Sequence, residues 1–384
     1  MPGSRLRVAI VGCGDVAHRF YLPPLIELAA KAEIVGCCDA RIEAAERLAA
    51  LVCPTSPGVA SFDRLDEMLA QVHPDAVFNL TPPPLHAEVA SACIAAGAHV
   101  YSEKPIAASI AEADHLIAEA RQAGVILLSA TASAATRPVR WLRRVIDSGA
   151  LGRPTLAVAH CAGMGPADWP EYTGDPTVFY GPGVGPVRDI GIYRLHELTS
   201  LLGPVKRVSA MGKIAIPERT IVGGPHAGKT ITVTSPDHVL MNMEFASGAL
   251  GQLLSSYAMP ETQAPWLEIH LTGASISFIG DEWSGDDPAS IFVLARAAGA
   301  VSAGGPAAAL TGPLAEGWNH GLTPPPPPDD FPLIGRGVGH FIAVLAGEEK
   351  PILTAEHARH VLEIVLLAYE SIADGRTHEL TTTF

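Results

Sequence analysis

The segment Arg7 to Ala17, RVAIVGCGDVA, limits what this chain can become more than any other stretch. Val8 to Val11 make a short apolar run of the length of a buried parallel strand. Gly12, Gly14 and Ala17 follow in the pattern G-x-G-x-x-A, and a helix is expected to open near Asp15. In a dinucleotide site each small residue has its own task. Gly12 permits the tight exit from the strand, Gly14 lets backbone approach a pyrophosphate, and Ala17 lets the helix lie close to the sheet. The first helical turn then offers N–H groups and a positive dipole end to the phosphates. A glycine turn alone carries little weight, but here it has a strand before it and a helix after it.

Strand and helix then alternate. His18 to Ala30 reads as helix, kinked or restarted at Pro23-Pro24. Glu33 to Cys38 is a second strand with Asp39 at its end, roughly twenty residues past the glycines. A carboxylate there accepts both ribose hydroxyls of NAD and repels the extra phosphate of NADP. It would equally cap the helix read over residues 40–51. Arg41 suits a 2′-phosphate instead, so NADP stays open beside NAD. Further strands are read at residues 59–62, 75–80, 98–102 and 125–129. Helices are read from Leu65, from Leu85 to Ala96, and from the capping box Ser109/Glu112 to about Gln122, with Gly124 as a stop. Thr81-Pro82-Pro83-Pro84 is expected to be an extended loop at the carboxyl edge of the sheet, where ligands bind. His86 follows it, by itself no more than a surface residue near a helix start. Glu103-Lys104-Pro105 places an acid, an amine and a proline at the same edge. The expected fold of residues 1–129 is a doubly wound parallel sheet of the α/β class.

From about Ala130 the rhythm changes, and residues 130–384 are read as a second α/β domain. A helix over residues 138–147 and a strand over 155–161 precede a Gly/Pro-rich loop carrying Trp169, Tyr172, Phe179 and Tyr180. Those aromatics suit a sugar ring or the loop's own small core. A helix from about Ile190 to Leu202 would put Asp189, Tyr193 and His196 at i, i+4 and i+7, on one stripe. A carboxylate, a phenol and an imidazole together can move a proton; the bland alternative is a polar surface face. Strand-like runs at 205–216, 238–245, 250–257, 266–271 and 275–279 suggest a mostly antiparallel sheet. Residues 297–330, rich in Ala, Gly and Pro, read as a surface excursion or lid. Two helices, at about 337–345 and 355–373, close the chain, the second capped by Thr354, and they are expected to pack back on the first domain.

Composition narrows the classes. A chain of 384 residues suits two domains. A net charge of −14 argues against nucleic acid and against an anionic membrane surface. Six cysteines without C-x-x-C spacing read as reduced thiols, not as a disulfide frame or metal site. The apolar run after Arg5 and Arg7 is short for a signal peptide, so a soluble cytoplasmic protein is expected.

With these residues in view, the chain resembles the Gfo/Idh/MocA family of glucose–fructose oxidoreductase and inositol dehydrogenase. The motifs are Gly12-x-Gly14-x-x-Ala17, Thr81-Pro82 with His86, Glu103-Lys104-Pro105, and Asp189-x-Gly191-x-Tyr193-x-x-His196. The resemblance implies a Rossmann domain, then an α/β domain on an open, mainly antiparallel sheet whose outer face makes a homodimer or homotetramer. It implies NAD(P)-dependent hydride transfer at a secondary alcohol of a sugar, cyclitol or diol. It implies cofactor contacts from Gly12, Gly14, Asp15, Val16, Asp39, Arg41, Thr81, Pro82, His86, Glu103 and Lys104. Lys104 matches a lysine that touches both nicotinamide and substrate, Asp189 the acid of the second motif, and His196 a substrate contact. Tyr193 stands where many members have a histidine acid/base, and Ala134-Ala135-Thr136-Arg137 departs from the family's Arg-Phe. Free lysine titrates near ~10.4 and free tyrosine near ~10, so Tyr193 and Lys104 both stay open as the base. A non-catalytic NAD-bound sensor and a glycosidase using NAD transiently are the alternatives on this fold.

Overall fold

The computed structural model describes residues 5–279, 290–295 and 333–384. The described residues form two compact units: residues 5–135 with 333–362 and 384, and residues 136–279 with 290–295 and 363–383. The excursion read at residues 297–330 lies outside the described residues. No helix among the described residues is long and apolar enough to cross a membrane.

In the first unit, β1 (Leu6–Val11), β2 (Ala32–Cys38), β3 (Ala60–Phe62), β4 (Ala76–Asn79), β5 (His99–Ser102) and β6 (Leu127–Ser129) form one sheet. Its order is β3-β2-β1-β4-β5-β6, parallel throughout. Val8, Ile10, Phe78 and Tyr101 are fully buried, as strands covered on both faces require. The order reverses beside β1, which opens the ligand crevice at the carboxyl ends of β1 and β4. Helices α1 (Leu22–Glu27), α2 (Ile42–Val52), α3 (Leu65–Val72), α4 (His86–Ala95) and α5 (Ile110–Ala123) connect the strands. The capping box at Ser109/Glu112 and the left-handed Gly124 bound α5 as expected.

Two local readings change. The first helix is not interrupted at Pro23-Pro24: helical residues run from Asp15 to Glu27 through a π turn at Ala17–Tyr21. Two successive prolines withdraw N–H donors and crowd the preceding carbonyls, and the wider turn absorbs both problems. The stretch after β4 is not extended throughout, since Pro83–Leu85 makes a 3-10 turn leading into α4.

The second unit begins with α6 (Arg137–Ser148), capped by Thr136 and ended by left-handed Gly149. Its sheet contains β7 (Pro154–Ala162), β8 (Val205–Lys213), β11 (His238–Phe245), β12 (Leu250–Ser256), β13 (Leu267–Leu271), β14 (Ala274–Ile279), β15 (Ser290–Ala295) and β16 (His378–Glu379). The order is β15-β14-β13-β7-β12-β11-β8-β16, and only β12 and β7 run parallel. The strand read to residue 216 ends at Lys213. A small hairpin, β9 (Glu218–Thr220) with β10 (Thr230–Thr232), stands apart. One sheet face is buried, by Val239, Met241, Leu253, Ala157, Ala159 and Ile269, and α7 (Ile192–Leu202) packs against β7 and β12. The other face alternates outward with Met211, Leu240, Leu250 and Leu156.

The chain ends through α8 (Arg336–Leu345) and α9 (Ala355–Asp374), whose first turn is capped by Thr354 through a 3.2 Å bond from the His357 N–H. Glu363, within α9, takes four hydrogen bonds from the tail beyond the helix, from the N–H and hydroxyl of both Thr381 and Thr382. That clasp lies just past β16, the strand that covers the free edge of β8.

Candidate functional site

The glycine turn has the geometry its residue types demand. Gly12 has φ +91°, and a Cβ there would sit 2.5 Å from the Leu80 carbonyl oxygen, so only glycine fits. A Cβ at Gly14 would meet nothing within 4 Å, which is the open approach a pyrophosphate needs. Ala17 is fully buried, while Asp15 and Val16 open the helix. Cys13, between the glycines, is buried; a hydrogen bond with the Cys37 thiol and burial push its own thiol far above the usual range. It is held as an inert thiol in the turn.

Asp39 stands at the end of β2, as expected, but it does not cap α2. One carboxylate oxygen accepts the Cys13 N–H at 2.9 Å and the other accepts the Arg41 N–H at 3.0 Å. The α2 N-cap residue is Arg41, without a side-chain bond. Asp39 thus ties the glycine turn to the end of β2, where a ribose would lie. The Arg41 guanidinium is exposed, its Nε 3.8 Å from Asp39.

At the β4 and β5 edge His86 is not a surface residue. It is 1% exposed, with Nδ1 2.7 Å from the Pro105 carbonyl and Nε2 2.7 Å from the Thr81 carbonyl. It therefore joins the Thr81-Pro82 loop to the loop carrying Lys104. Asn79, the last residue of β4, is fully buried and bonds the His86 carbonyl, the Ser102 hydroxyl and the Thr81 hydroxyl. Glu103 accepts from the Tyr21 hydroxyl at 2.6 Å and from the Lys104 N–H at 3.0 Å. Gly12, Gly14, Asp39, Thr81, His86, Glu103 and Lys104 thus gather at the carboxyl ends of β1, β2, β4 and β5.

In the second unit Asp189, Tyr193 and His196 are all buried, so the surface-face reading fails. Their stripe is not a regular one. Asp189 lies in a π turn, Val187–Gly191, which leads into α7, so its angular relation to Tyr193 is not that of an α-helix. Tyr193 and His196 keep the i, i+3 relation within α7. The helix is seated closely here: a Cβ on Gly191 would lie 2.9 Å from the Ser255 hydroxyl of β12. Asp189 accepts a short hydrogen bond from the Tyr257 phenol. Burial and the neighbouring Asp189 charge hold that phenol well above the ordinary tyrosine range. Tyr257 is itself fixed: its carbonyl accepts from Arg219 at 2.6 Å, and its ring lies 5.6 Å from Tyr180. Further along α7, Arg194 and Glu197 form a fully buried ion pair, with the guanidinium 4.3 Å over Trp266. The loop aromatics divide. Tyr180 joins a small core with Ile221, Ile231, Val233 and Tyr257; Phe179 packs against that core and ends an edge-to-face series that runs from Trp169 through Tyr172.

Sequence reasoning missed Tyr21, Asn79 and Tyr257. Asn79 left a faint signal, a polar residue ending an otherwise apolar strand. The other two are single phenols with no periodicity to mark them.

Comparisons with known proteins agree with this architecture. Residues 6–131 match the model of the oxidoreductase family with an NAD-binding Rossmann fold, and residues 139–277 match the GFO/IDH/MocA C-terminal domain. The chain belongs to the Gfo/Idh/MocA oxidoreductase family. It is 29% identical over 289 residues to the D-glucoside 3-dehydrogenase of Escherichia coli, covering 73% of this chain and 77% of that one. It is 27% identical over 281 residues to the dTDP-3,4-didehydro-2,6-dideoxy-alpha-D-glucose 3-reductase of Streptomyces antibioticus, covering 70% and 82%. The fold is shared with the WlbA dehydrogenase of Bordetella pertussis, solved with NADH and UDP-GlcNAcA: TM-score 0.69, 18% identity, 98% of this chain and 99% of that one. This chain is an NAD-binding oxidoreductase, and its glycine turn and Asp39 fit that dinucleotide.

Proposed function

We propose that this enzyme moves a hydride between NAD and a ring secondary alcohol of a hexose or hexoside, at carbon 3. The observation that carries the carbon is that both relatives above are named for redox at position 3 of a hexose. When bound, the nicotinamide supplies the hydride acceptor or donor. The protein's own work is to orient the carbinol and to take or return its hydroxyl proton. Tyr193 is assigned that proton, Lys104 anchors the hydroxyl and supplies positive charge, and His196 contacts the sugar. Asp189 orients, with the Tyr257 hydroxyl occupying one of its oxygens. The intact set Lys104, Asp189 and Tyr193 favours an enzyme over a sensor, which has no need of a proton-handling group.

The assembly belongs to the same proposal. On the outer face of the second sheet Leu240 pairs with Met211 across β11 and β8, and Leu250 with Leu156 across β12 and β7. Met211 is 77% exposed and Leu250 55%. Two exposed apolar pairs on one sheet face, set apart by Asn242 and Gln252, fit a second copy of the chain. Light scattering should give a dimer or tetramer, and Met211→Lys with Leu240→Lys should give monomer.

The substrate class is tested by following nicotinamide absorbance with methyl glucosides, free hexoses, inositols and diols, each with NAD and NADP. Oxidation of a methyl glucoside to its 3-keto product is the expected result. Turnover confined to acyclic diols would refute the hexose assignment, and release of free sugar without net NAD consumption would point to a glycosidase.

A further inference from the structure

We propose that Lys104 is held by a buried two-armed bracket, in which Tyr21 and His86 are positioning residues. The proposal rests on the reading of Lys104 as the amine that anchors the substrate hydroxyl. Lys104 is flanked by Glu103 and Pro105, and a side chain from a different element grips each flank.

On one side the Tyr21 hydroxyl donates to Glu103 Oε1 at 2.6 Å, and Glu103 Oε2 accepts the Lys104 N–H at 3.0 Å. The Glu103 N–H is in turn held by the Asn79 carbonyl at 2.8 Å. On the other side His86 spans the carbonyls of Pro105 and Thr81, each at 2.7 Å. Asn79 supports this arm too, donating to the His86 carbonyl at 2.9 Å and to the Ser102 hydroxyl at 3.2 Å. Tyr21, Asn79, His86 and Ser102 are each no more than 1% exposed. Their polar groups are spent inside the protein on the two loops that meet at Lys104.

The arms come from separate parts of the unit. Tyr21 ends the π turn that follows the glycine loop, and His86 opens α4. A short loop at a sheet edge is ordinarily among the easier segments to open. A reacting group displaced by about 1 Å can lose about 10²-fold in rate. The bracket answers both: it fixes the backbone on either side of the amine without touching the reacting atoms.

The test uses the full chain carrying Tyr21→Phe, which removes one oxygen, and His86→Gln, with Glu103→Gln as a second lesion of the Tyr21 arm. Amide hydrogen exchange over residues 102–106, read without dinucleotide, should quicken by about tenfold in each. With NAD and a methyl glucoside, kcat should fall about 10- to 100-fold while KM and NADH affinity stay within about threefold. In a Lys104→Met background none of the three substitutions should lower the residual turnover further. Unchanged exchange at residues 102–106 overturns the bracket, and so does an equal loss of rate with and without Lys104. Normal turnover of Lys104→Met itself would instead remove the catalytic reading of the amine, and the bracket's purpose with it.

Discussion

Each unit opens a helix through a π turn, and each π turn leads to a carboxylate held by a buried tyrosine. In the first unit the tyrosine is on the turn, Tyr21, and the acid is in a loop, Glu103. In the second the acid is on the turn, Asp189, and the tyrosine follows a strand, Tyr257. The causes of the turns differ as well. Pro23-Pro24 forces the first from within the chain. No proline follows the second; there the helix is pressed onto β12, where Gly191 has no room for a side chain beside Ser255. A wide turn of the first kind is written locally, and one of the second kind is written in tertiary packing.

The sharpest way to break the pairing is at the chemistry. Lys104→Met should lower turnover by about 10²- to 10⁴-fold while NADH still binds, as fluorescence titration would show. Tyr193→Phe should cost about as much and should also abolish the pH dependence of kcat. Near-normal turnover of either would remove that residue's unit from the proton transfer. The two glycines of the first turn come next. Gly12→Ala should both destabilise the protein and erase NADH binding, because its Cβ collides with Leu80. Gly14→Ala should leave thermal stability within about 0.5 kcal/mol and still weaken NADH. Equal effects on stability would show that Gly14 serves the fold and not the ligand.

A smaller effect separates the tyrosines. Tyr257→Phe leaves a buried carboxylate short of a donor and should cost about 1–3 kcal/mol in urea unfolding. Tyr21→Phe should cost less, since Glu103 is only half-buried and its freed carboxylate oxygen can turn toward solvent. The smallest effect is alkaline. Burial pushes Tyr180 and Tyr369 up to about 12 and Tyr257 well above its ordinary range. Unfolded phenols titrate near ~10, so this contribution is complete below that pH and is lost as pH climbs through the folded values. Urea midpoints measured upward from about pH 9 should fall steadily, and less so in Tyr180→Phe.

Much of the first unit was legible because its signals are local. The apolar run before Gly12, the capping box at Ser109 and Glu112, and the stop at Gly124 each depend on residues within one turn of each other. The strands of the second sheet were legible for a similar reason: β11 alternates buried and exposed residues along nearly its whole length. What stayed hidden depends on distance. His86 looked like a surface histidine because nothing near it in sequence announces the Pro105 carbonyl. Tyr257 reaches Asp189 across 68 positions, and β16 finds β8 from the far end of the chain. The parallel pairing of β12 with β7 has no mark in either strand.

The clasp of Glu363 on Thr381 and Thr382 makes the β8 edge sensitive to acid. Burial opposes ionisation of this carboxyl, but the four hydrogen bonds outweigh it and keep its pKa below the usual glutamate value. The stabilisation is therefore complete above the ordinary glutamate range and drains away as pH drops through the depressed one. Protonation would loosen the tail, β16 would peel off, and a row of unsatisfied backbone groups would stand bare for any passing strand. Sourness is thus a condition under which this sheet would begin to recruit neighbours.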